Sequence, residues 1–147
     1  YDNAARMMRG TWKRAARDSG MEAVADLTSV AGFARSFYDL EGAQPQLQSM
    51  RDAFKNTDPE AFIAGTETIE KTDLSNLTPK ISAPTLLLAG DEDNMTPFSP
   101  AVSGVGMSEI AQELANCETK TLKQCGHYLV IEQPELAAKY IADFVNK

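Results

Sequence analysis

The sequence predicts an α/β protein in which a buried strand of a parallel sheet leads into a cluster of acidic residues. Residues 86–88 form an uninterrupted leucine run between Pro84 and Gly90, which is typical of a parallel strand covered on both faces. An alternating run at residues 118–122 predicts a short edge strand. Most of the remaining chain carries apolar residues at helical spacing, as expected when helices cover such a sheet.

The composition excludes several classes of partner. A chain of 147 residues with 43% hydrophobic content is long enough to bury a core. The formal net charge of −7 argues against nucleic acid and anionic membrane as main partners, because both attract basic surfaces. No apolar run approaches the roughly 20 residues needed to span a bilayer. The sequence starts at Tyr1 with no signal peptide and no initiating methionine, so we expect a processed chain or one cut from something longer.

Residues 1–72 are predicted to form helices with little strand character. Two helices are expected first, at residues 4–17 and 21–30. A loop or broken helix follows at residues 31–44. Pro45 fits the first turn of a third helix. Thr57 or Asp58 is expected to cap a fourth helix, whose first residue is Pro59.

The second half of the chain is predicted to alternate strands and helices. Residues 73–84 form a polar, proline-punctuated connection into the leucine strand, and residues 85–147 carry both strands. One helix is expected at residues 108–116, and a last helix opens at Gln133 and Pro134 with a single apolar stripe. Two strands are marginal as an independent sheet, so we expect the remaining strands to come from outside this chain.

Acidic residues and the only histidine follow these two strands. Asp91, Glu92 and Asp93 come directly after the leucine strand, where open α/β sheets place their ligands and chemistry. His127 follows the second strand, and a strand–helix–strand crossover brings the two strand ends to one sheet edge. A carboxylate that orients an imidazole allows that imidazole to take a proton from a nucleophile.

These residues belong to a set of motifs that occur in a definite order: Gly90-x-x-Asp93-x-x-Thr96-Pro97, Gly126-His127 and Glu132-Gln133-Pro134-Glu135. The set resembles the carboxyl-terminal half of an α/β-hydrolase. The amino-terminal helices resemble the cap of that family, with Trp12-Lys13-Arg14 and Gly20-Met21 similar to enol-lactonase and esterase-like members. The resemblance implies the second half of an α/β-hydrolase sheet with a helical cap at residues 1–72, a linker at 73–84 and a half-core at 85–147.

The resemblance also implies roles for individual residues. Asp93 matches the triad acid and His127 the triad base, in the chain order of the family. Asp91 and Glu92 are the alternatives for the acid, and Asp93 is preferred for its register to Gly90 and to Thr96-Pro97. Trp12, Phe37 and Met95 are the predicted substrate-binding residues. This role comes from their residue types rather than from the resemblance, and packing is the commoner role of such side chains.

The sequence shows no nucleophile that matches the family. No Gly-x-Ser-x-Gly segment is present. Ser103 comes after the acid in the sequence, and no predicted strand leads into it, as the family's serine requires. We therefore expect a complementing amino-terminal half or second chain to supply the serine, and we expect this chain alone to be inactive. No metal is expected at Asp91, Glu92 and Asp93, because adjacent side chains alternate in direction and no second histidine exists.

The implied function is hydrolysis of an ester, thioester or lactone of a small molecule through an acyl-enzyme, without a cofactor. Two alternatives remain open. One is another α/β-hydrolase chemistry, namely that of a dehalogenase, an epoxide hydrolase or a carbon–carbon bond hydrolase. The other is a small-molecule binding protein without catalysis.

The two cysteines, Cys117 and Cys125, fit no zinc or redox spacing. Free thiols in a reducing compartment are the preferred interpretation, and they indicate a cytoplasmic protein. A disulfide between them stays open, because both are expected near the second strand.

Overall fold

The computed structural model describes residues 3–99 and 106–147. Internal contacts divide them into two compact units. The first unit comprises the residues up to Ala31 together with Glu41–Asp73, and the second comprises Gly32–Leu40 together with Leu74–Lys147.

The first unit is built from four α-helices: α1 (Asn3–Asp18), α2 (Met21–Gly32, whose last residue belongs to the second unit), α3 (Ala43–Lys55) and α4 (Pro59–Lys71). Its core contains the buried side chains of Ala16, Met21, Val24 and Ile63. The Asp58 carboxylate accepts a hydrogen bond from the Ala61 amide at 2.8 Å, so the predicted cap and start of α4 are confirmed.

The second unit contains both strands and the remaining helices. Its elements are β1 (Thr85–Gly90), α5 (Met107–Glu113), β2 (Cys117–Leu122), α6 (Leu129–Glu132) and α7 (Pro134–Val145), with 3-10 helices at Arg35–Asp39 and Thr78–Lys80. The strands pair in parallel, from Thr85 opposite Cys117 to Gly90 opposite Leu122. Because they are parallel and α5 lies between them in the chain, their carboxyl ends share one edge of the sheet.

The burial of β1 differs from the prediction. Ala89 and Gly90 are buried, whereas the four residues before them are half-buried. In the described part of the chain the sheet has two strands, so β1 has one strand neighbour rather than two. The expectation of a strand covered on both faces is therefore wrong for residues 85–88 of this chain.

The apolar stripe expected on α7 is also incompletely covered. Ala137 is buried, but Ile141 is 44% exposed. The helix before β2 ends at Glu113 rather than at residue 116, because Leu114 turns to extended backbone with its side chain buried. Among the described helices, none combines the length and the apolar content that crossing a bilayer requires.

The compact units differ from the expected domain boundaries in the segment Gly32–Leu40. We expected this segment within the helical residues 1–72, yet its contacts group it with the strands. The reason is that its backbone is hydrogen bonded to the loops that follow β1 and β2 and to Glu132 of α6. This segment is therefore part of the unit that carries the candidate site.

Candidate active site

The loop after β1, called here the acid loop (residues 91–96), holds the Asp93 carboxylate in place through its own backbone. Asp93 Oδ1 accepts hydrogen bonds from the amides of Met95 and Thr96 at 2.8 and 2.9 Å. Its Oδ2 accepts one from the Thr96 hydroxyl at 2.9 Å. An aspartate that binds the amides two and three residues further on forms its turn locally, so the carboxylate is oriented by the adjacent sequence.

The loop after β2, called here the histidine loop (residues 123–127), brings the imidazole to this carboxylate. The chain turns at Gln124, whose φ is 52°. The Gln133 side-chain amide donates to the carbonyls of Lys123 and Gln124 at 2.7 and 3.3 Å. His127 Nδ1 then lies 3.0 Å from Asp93 Oδ2. The carboxylate and the imidazole, far apart in the sequence, are thus in hydrogen-bonding contact.

The surroundings of the pair define the proton positions. The Asp93 side chain is 2% exposed, whereas the His127 side chain is 33% exposed. An ionised carboxylate can only accept a hydrogen bond, so the ring proton is on Nδ1, which donates a hydrogen bond to Asp93. In the neutral ring Nε2 then has a free lone pair, which is the arrangement that a general base requires.

Asp93 is held in its ionised form. Burial by itself raises the pKa of Asp93, but the hydrogen bonds from His127 and from the Thr96 and Met95 amides, together with the charge of His127, outweigh it. The pKa therefore lies below the ordinary value of 3.8. An ionised carboxylate at this position stabilises an imidazolium.

This lowered pKa predicts a pH-dependent contribution to stability. A lowered folded-state pKa stabilises the fold above the unfolded value of 3.8, and the contribution is lost as pH falls through the folded-state pKa. We expect the free energy of unfolding of the natural chain to exceed that of Asp93→Asn near neutral pH, with the gap shrinking in acid. Urea unfolding of both proteins from about pH 7 to about pH 3 measures it. A gap independent of pH would contradict the prediction.

The other two carboxylates of the acid loop have different partners. Asp91 lies 3.3 Å from the Lys123 ammonium and accepts a weak hydrogen bond from the Cys125 amide at 3.4 Å. Glu92 accepts a hydrogen bond from the Arg35 amide at 3.1 Å. Of the three consecutive acids, it is Asp93 that contacts His127. Within residues 3–99 and 106–147, no three or more His, Cys, Asp or Glu side chains are grouped as metal ligands.

Two glycines allow the site backbone to pack closely. A Cβ at Gly90 would overlap the carbonyl oxygens of Cys125 and Gly126, and a Cβ at Gly126 would overlap the Gly32 carbonyl. The His127 amide donates to that same Gly32 carbonyl at 2.6 Å. The end of β1, the histidine loop and the start of the 32–40 segment therefore lie in direct backbone contact.

We expect Gly90→Ala to lower the free energy of unfolding by about 3 kcal/mol, because the overlapped atoms are backbone and cannot move aside cheaply. Gly65→Ala is the matched control: apart from the neighbouring backbone of its own helix, no atom lies within 4 Å of its Cβ position, and it lies inside α4. It should raise stability by about 0.5–1 kcal/mol. Urea unfolding measures both, and equal effects of the two substitutions would refute the packing argument.

Thr96 belongs to the site, although the sequence interpretation used it only as a spacing marker. Its hydroxyl donates to Asp93 Oδ2 at 2.9 Å and lies 3.0 Å from His127 Nδ1. The hydroxyl thus touches both members of the pair. Its position three residues after the aspartate was the only available signal, because a turn of this kind brings that side chain back to the carboxylate.

The predicted substrate-binding residues occupy three different settings. Met95 is a half-buried residue of the acid loop. Phe37 is 5% exposed and stacks on Phe33 at 4.5 Å between ring centroids. It also lines a cavity of about 230 Å³ together with Ser36, Leu40, Gln124, Glu132 and Gln133. Trp12 packs against the core of the first unit. Ser103, which the sequence analysis rejected as the nucleophile, lies outside the described residues.

The thiol nearest to the histidine is unsuited to act as the nucleophile. Cys117 and Cys125 are both free, and Cys125 is fully buried. Burial raises the pKa of Cys125 to about 12, and the neighbouring carboxylates, Glu132 foremost, act in the same direction. A buried thiol with a raised pKa is chemically inert at neutral pH.

Comparison with known proteins shows which solved structures and curated sequences this chain resembles. No family model matches the chain. The enol-lactonase from Burkholderia xenovorans LB400 is 28% identical with a TM-score of 0.80, over 94% of this chain and 50% of the lactonase. MGS-M2, an α/β hydrolase enzyme from a Medee basin deep-sea metagenome library, is 21% identical with a TM-score of 0.82, over 99% of this chain and 52% of MGS-M2. A thermophilic esterase from Thermogutta terrifontis is 22% identical with a TM-score of 0.77, over 99% of this chain and 51% of the esterase.

Curated sequences give a shorter match. Human monoacylglycerol lipase ABHD6 is 39% identical over 66 residues, which are 45% of this chain and 18% of the lipase. The Xenopus laevis lipase abhd6-B is 34% identical over 67 residues, 46% of this chain and 18% of that protein. The chain thus spans about half the length of the solved structures, and its match covers less than a fifth of the lipases. The chain therefore has the fold of about half of an α/β-hydrolase, and over part of its length its sequence is similar to those of known hydrolases.

Proposed function

We propose that this chain supplies the general base and the orienting acid of a serine-type hydrolase acting on a small-molecule ester, thioester or lactone. The observation that carries the proposal is the 3.0 Å contact between Asp93 Oδ2 and His127 Nδ1. The carboxylate is buried and the imidazole is one-third exposed, so one end of the ring is fixed while the other is free to meet a substrate. The names of the relatives, among them an esterase and an enol-lactonase, support this reaction class.

The mechanism follows from the orientation of the ring. His127 Nε2 takes the proton from a serine hydroxyl while the serine oxygen attacks the substrate carbonyl. The imidazolium gives that proton to the departing alkoxide or thiolate, which leaves an acyl-enzyme. His127 then takes a proton from water, water attacks the acyl group, and the serine leaves with the proton returned to it. Throughout, Asp93 holds Nδ1–H and stabilises the transient imidazolium.

In this proposal the serine and the oxyanion-hole donors come from a complementing amino-terminal half or a second chain. Two features support it: the chain covers about half of each solved structure, and its described sheet has only two strands. A chain with a base and an acid but no activated serine is expected to be inactive by itself. In this proposal the helical part at residues 1–72 acts as the cap that selects the substrate. Phe37 and Met95, which lie in the same unit as Asp93 and His127, are the candidate contacts.

The test compares this chain alone with the protein in which the nucleophile segment is present. We expect turnover of a p-nitrophenyl ester only when that segment is present, together with covalent labelling of its serine by a fluorophosphonate. A monoacylglycerol is the second substrate to assay, because the curated relatives are named for that activity. A folded, complete protein that neither turns over an ester nor reacts with the fluorophosphonate would overturn the proposal in favour of a binding protein.

A further inference from the structure

A second carboxylate, outside the Asp93–His127 pair, is attached to the histidine loop. Glu132 lies at the end of α6 and is half-buried. Its Oε1 accepts a hydrogen bond from the Gly126 amide at 3.0 Å, and its Oε2 lies 3.1 Å from the same amide. Gly126 immediately precedes His127, so Glu132 fixes the backbone from which the imidazole projects.

The same carboxylate also holds the 32–40 segment. Glu132 Oε2 accepts a hydrogen bond from the Ala34 amide at 3.0 Å. Two residues before Ala34, the Gly32 carbonyl accepts a hydrogen bond from the His127 amide at 2.6 Å. Directly after Ala34, the Arg35 amide donates a hydrogen bond to Glu92 of the acid loop at 3.1 Å. The start of this segment therefore connects the histidine loop to the acid loop.

The environment of Glu132 is unfavourable for a charge. Burial raises the pKa of Glu132 and the charge of Glu92 acts in the same direction, while amide donors from Ala34, Gly126 and Tyr128 oppose both and leave the pKa above its ordinary value. A half-buried carboxylate beside another carboxylate adds little to stability by itself. Its benefit is geometric, because one rigid group binds two amides from separate parts of the chain.

We propose that Glu132 is a positioning residue that sets the His127 imidazole against Asp93. Loss of its hydrogen bonds to the Gly126 and Ala34 amides frees the histidine loop from the 32–40 segment on one side. A shift of about 1 Å then lengthens the 3.0 Å contact between Nδ1 and Oδ2 beyond hydrogen-bonding range, and misplacement of this size typically costs about 10²-fold in rate. The effect on rate rests on the proposed hydrolase function, whereas the effect on the hydrogen bond does not.

The experiment measures both effects in the full protein that contains this chain. The Nδ1 proton of His127, when hydrogen bonded to a carboxylate, gives a downfield proton resonance, which is identified by its loss in His127→Ala. Three substitutions are compared with the natural protein: Glu132→Ala, Glu132→Gln and the control Glu135→Ala. Glu135 carries the same charge three residues later and is exposed.

We expect Glu132→Ala to lose the resonance and to lower kcat by about 10²-fold with KM changed by less than about 3-fold. Glu132→Gln keeps one oxygen in reach of both amides, so it should fold and should give an intermediate loss of each signal. Glu135→Ala should match the natural protein.

The outcomes separate this proposal from the proposed function. A natural protein that shows the resonance but hydrolyses no ester contradicts the hydrolase, and loss of the resonance in the Glu132 variants still supports the positioning role. A Glu132→Gln protein, or a folded Glu132→Ala protein, with natural kcat and an unchanged resonance overturns the positioning role.

Discussion

His127→Ala is expected to lower kcat of the complete enzyme by about 10⁴-fold or more, because it removes the group that accepts the serine proton. His127 is the only histidine of this chain, and the described residues place no second imidazole beside Asp93. The loss should appear in kcat rather than in KM, since proton transfer occurs in the transition state. Steady-state assays with a p-nitrophenyl ester measure it.

Two controls identify a chemical rather than a structural loss. Thermal unfolding should show that His127→Ala folds, as expected for a side chain that is 33% exposed. Added imidazole should restore part of the activity by entering the vacated space and accepting the proton in place of the side chain. Full turnover by the unassisted variant would remove His127 from the mechanism.

Asp93→Asn is expected to lower kcat by about 10⁴-fold while leaving the fold in place. The asparagine oxygen replaces Oδ1 and keeps the amide hydrogen bonds of Met95 and Thr96. Its NH₂ group then faces His127 and donates to Nδ1, which forces the ring proton onto Nε2. That tautomer cannot accept a proton from the serine, so the base is present but in the wrong form.

The neighbouring acids provide matched controls for this substitution. Asp91→Asn makes the same chemical change two residues earlier in the same loop, at a side chain that faces Lys123 and the Cys125 amide. We expect its kcat to stay within about 10-fold of the natural value, because no contact to the imidazole is lost. If Asp91→Asn cost as much as Asp93→Asn, the assignment of the acid would be wrong.

Sequence patterns were sufficient to predict features that depend on interactions between residues close together in the chain. Asp58 and Pro59 predicted the start of α4, because a cap and its first turn involve adjacent residues only. The strand–helix–strand order predicted the parallel pairing of β1 with β2. Gly90, Asp93 and Thr96 likewise lie in one short stretch, and their register, which matches that of the family, had already favoured Asp93 as the acid.

Distant contacts were not predictable in the same way. The assignment of residues 31–44 to the helical part missed that Gly32–Leu40 groups with the strands. One of the hydrogen bonds that join this segment to the second unit links Ala34 with Glu132, which are 98 positions apart in the sequence. No periodicity or spacing encodes a contact of that kind. The four-residue α6, on which Glu132 lies, is also too short to show a helical period.

The sequence by itself therefore determined the order of the two strands and the longer helices, the α/β class and a short list of residues able to move a proton. These properties depend on hydrophobic spacing and on turns of a few residues. The register had favoured Asp93 over Asp91 and Glu92, and tertiary structure showed its contact with His127. Tertiary structure alone decided that Glu132 holds the histidine loop. The physical reason is that adjacent side chains of one loop point in different directions, and only the packing of segments remote in sequence fixes what each of them meets.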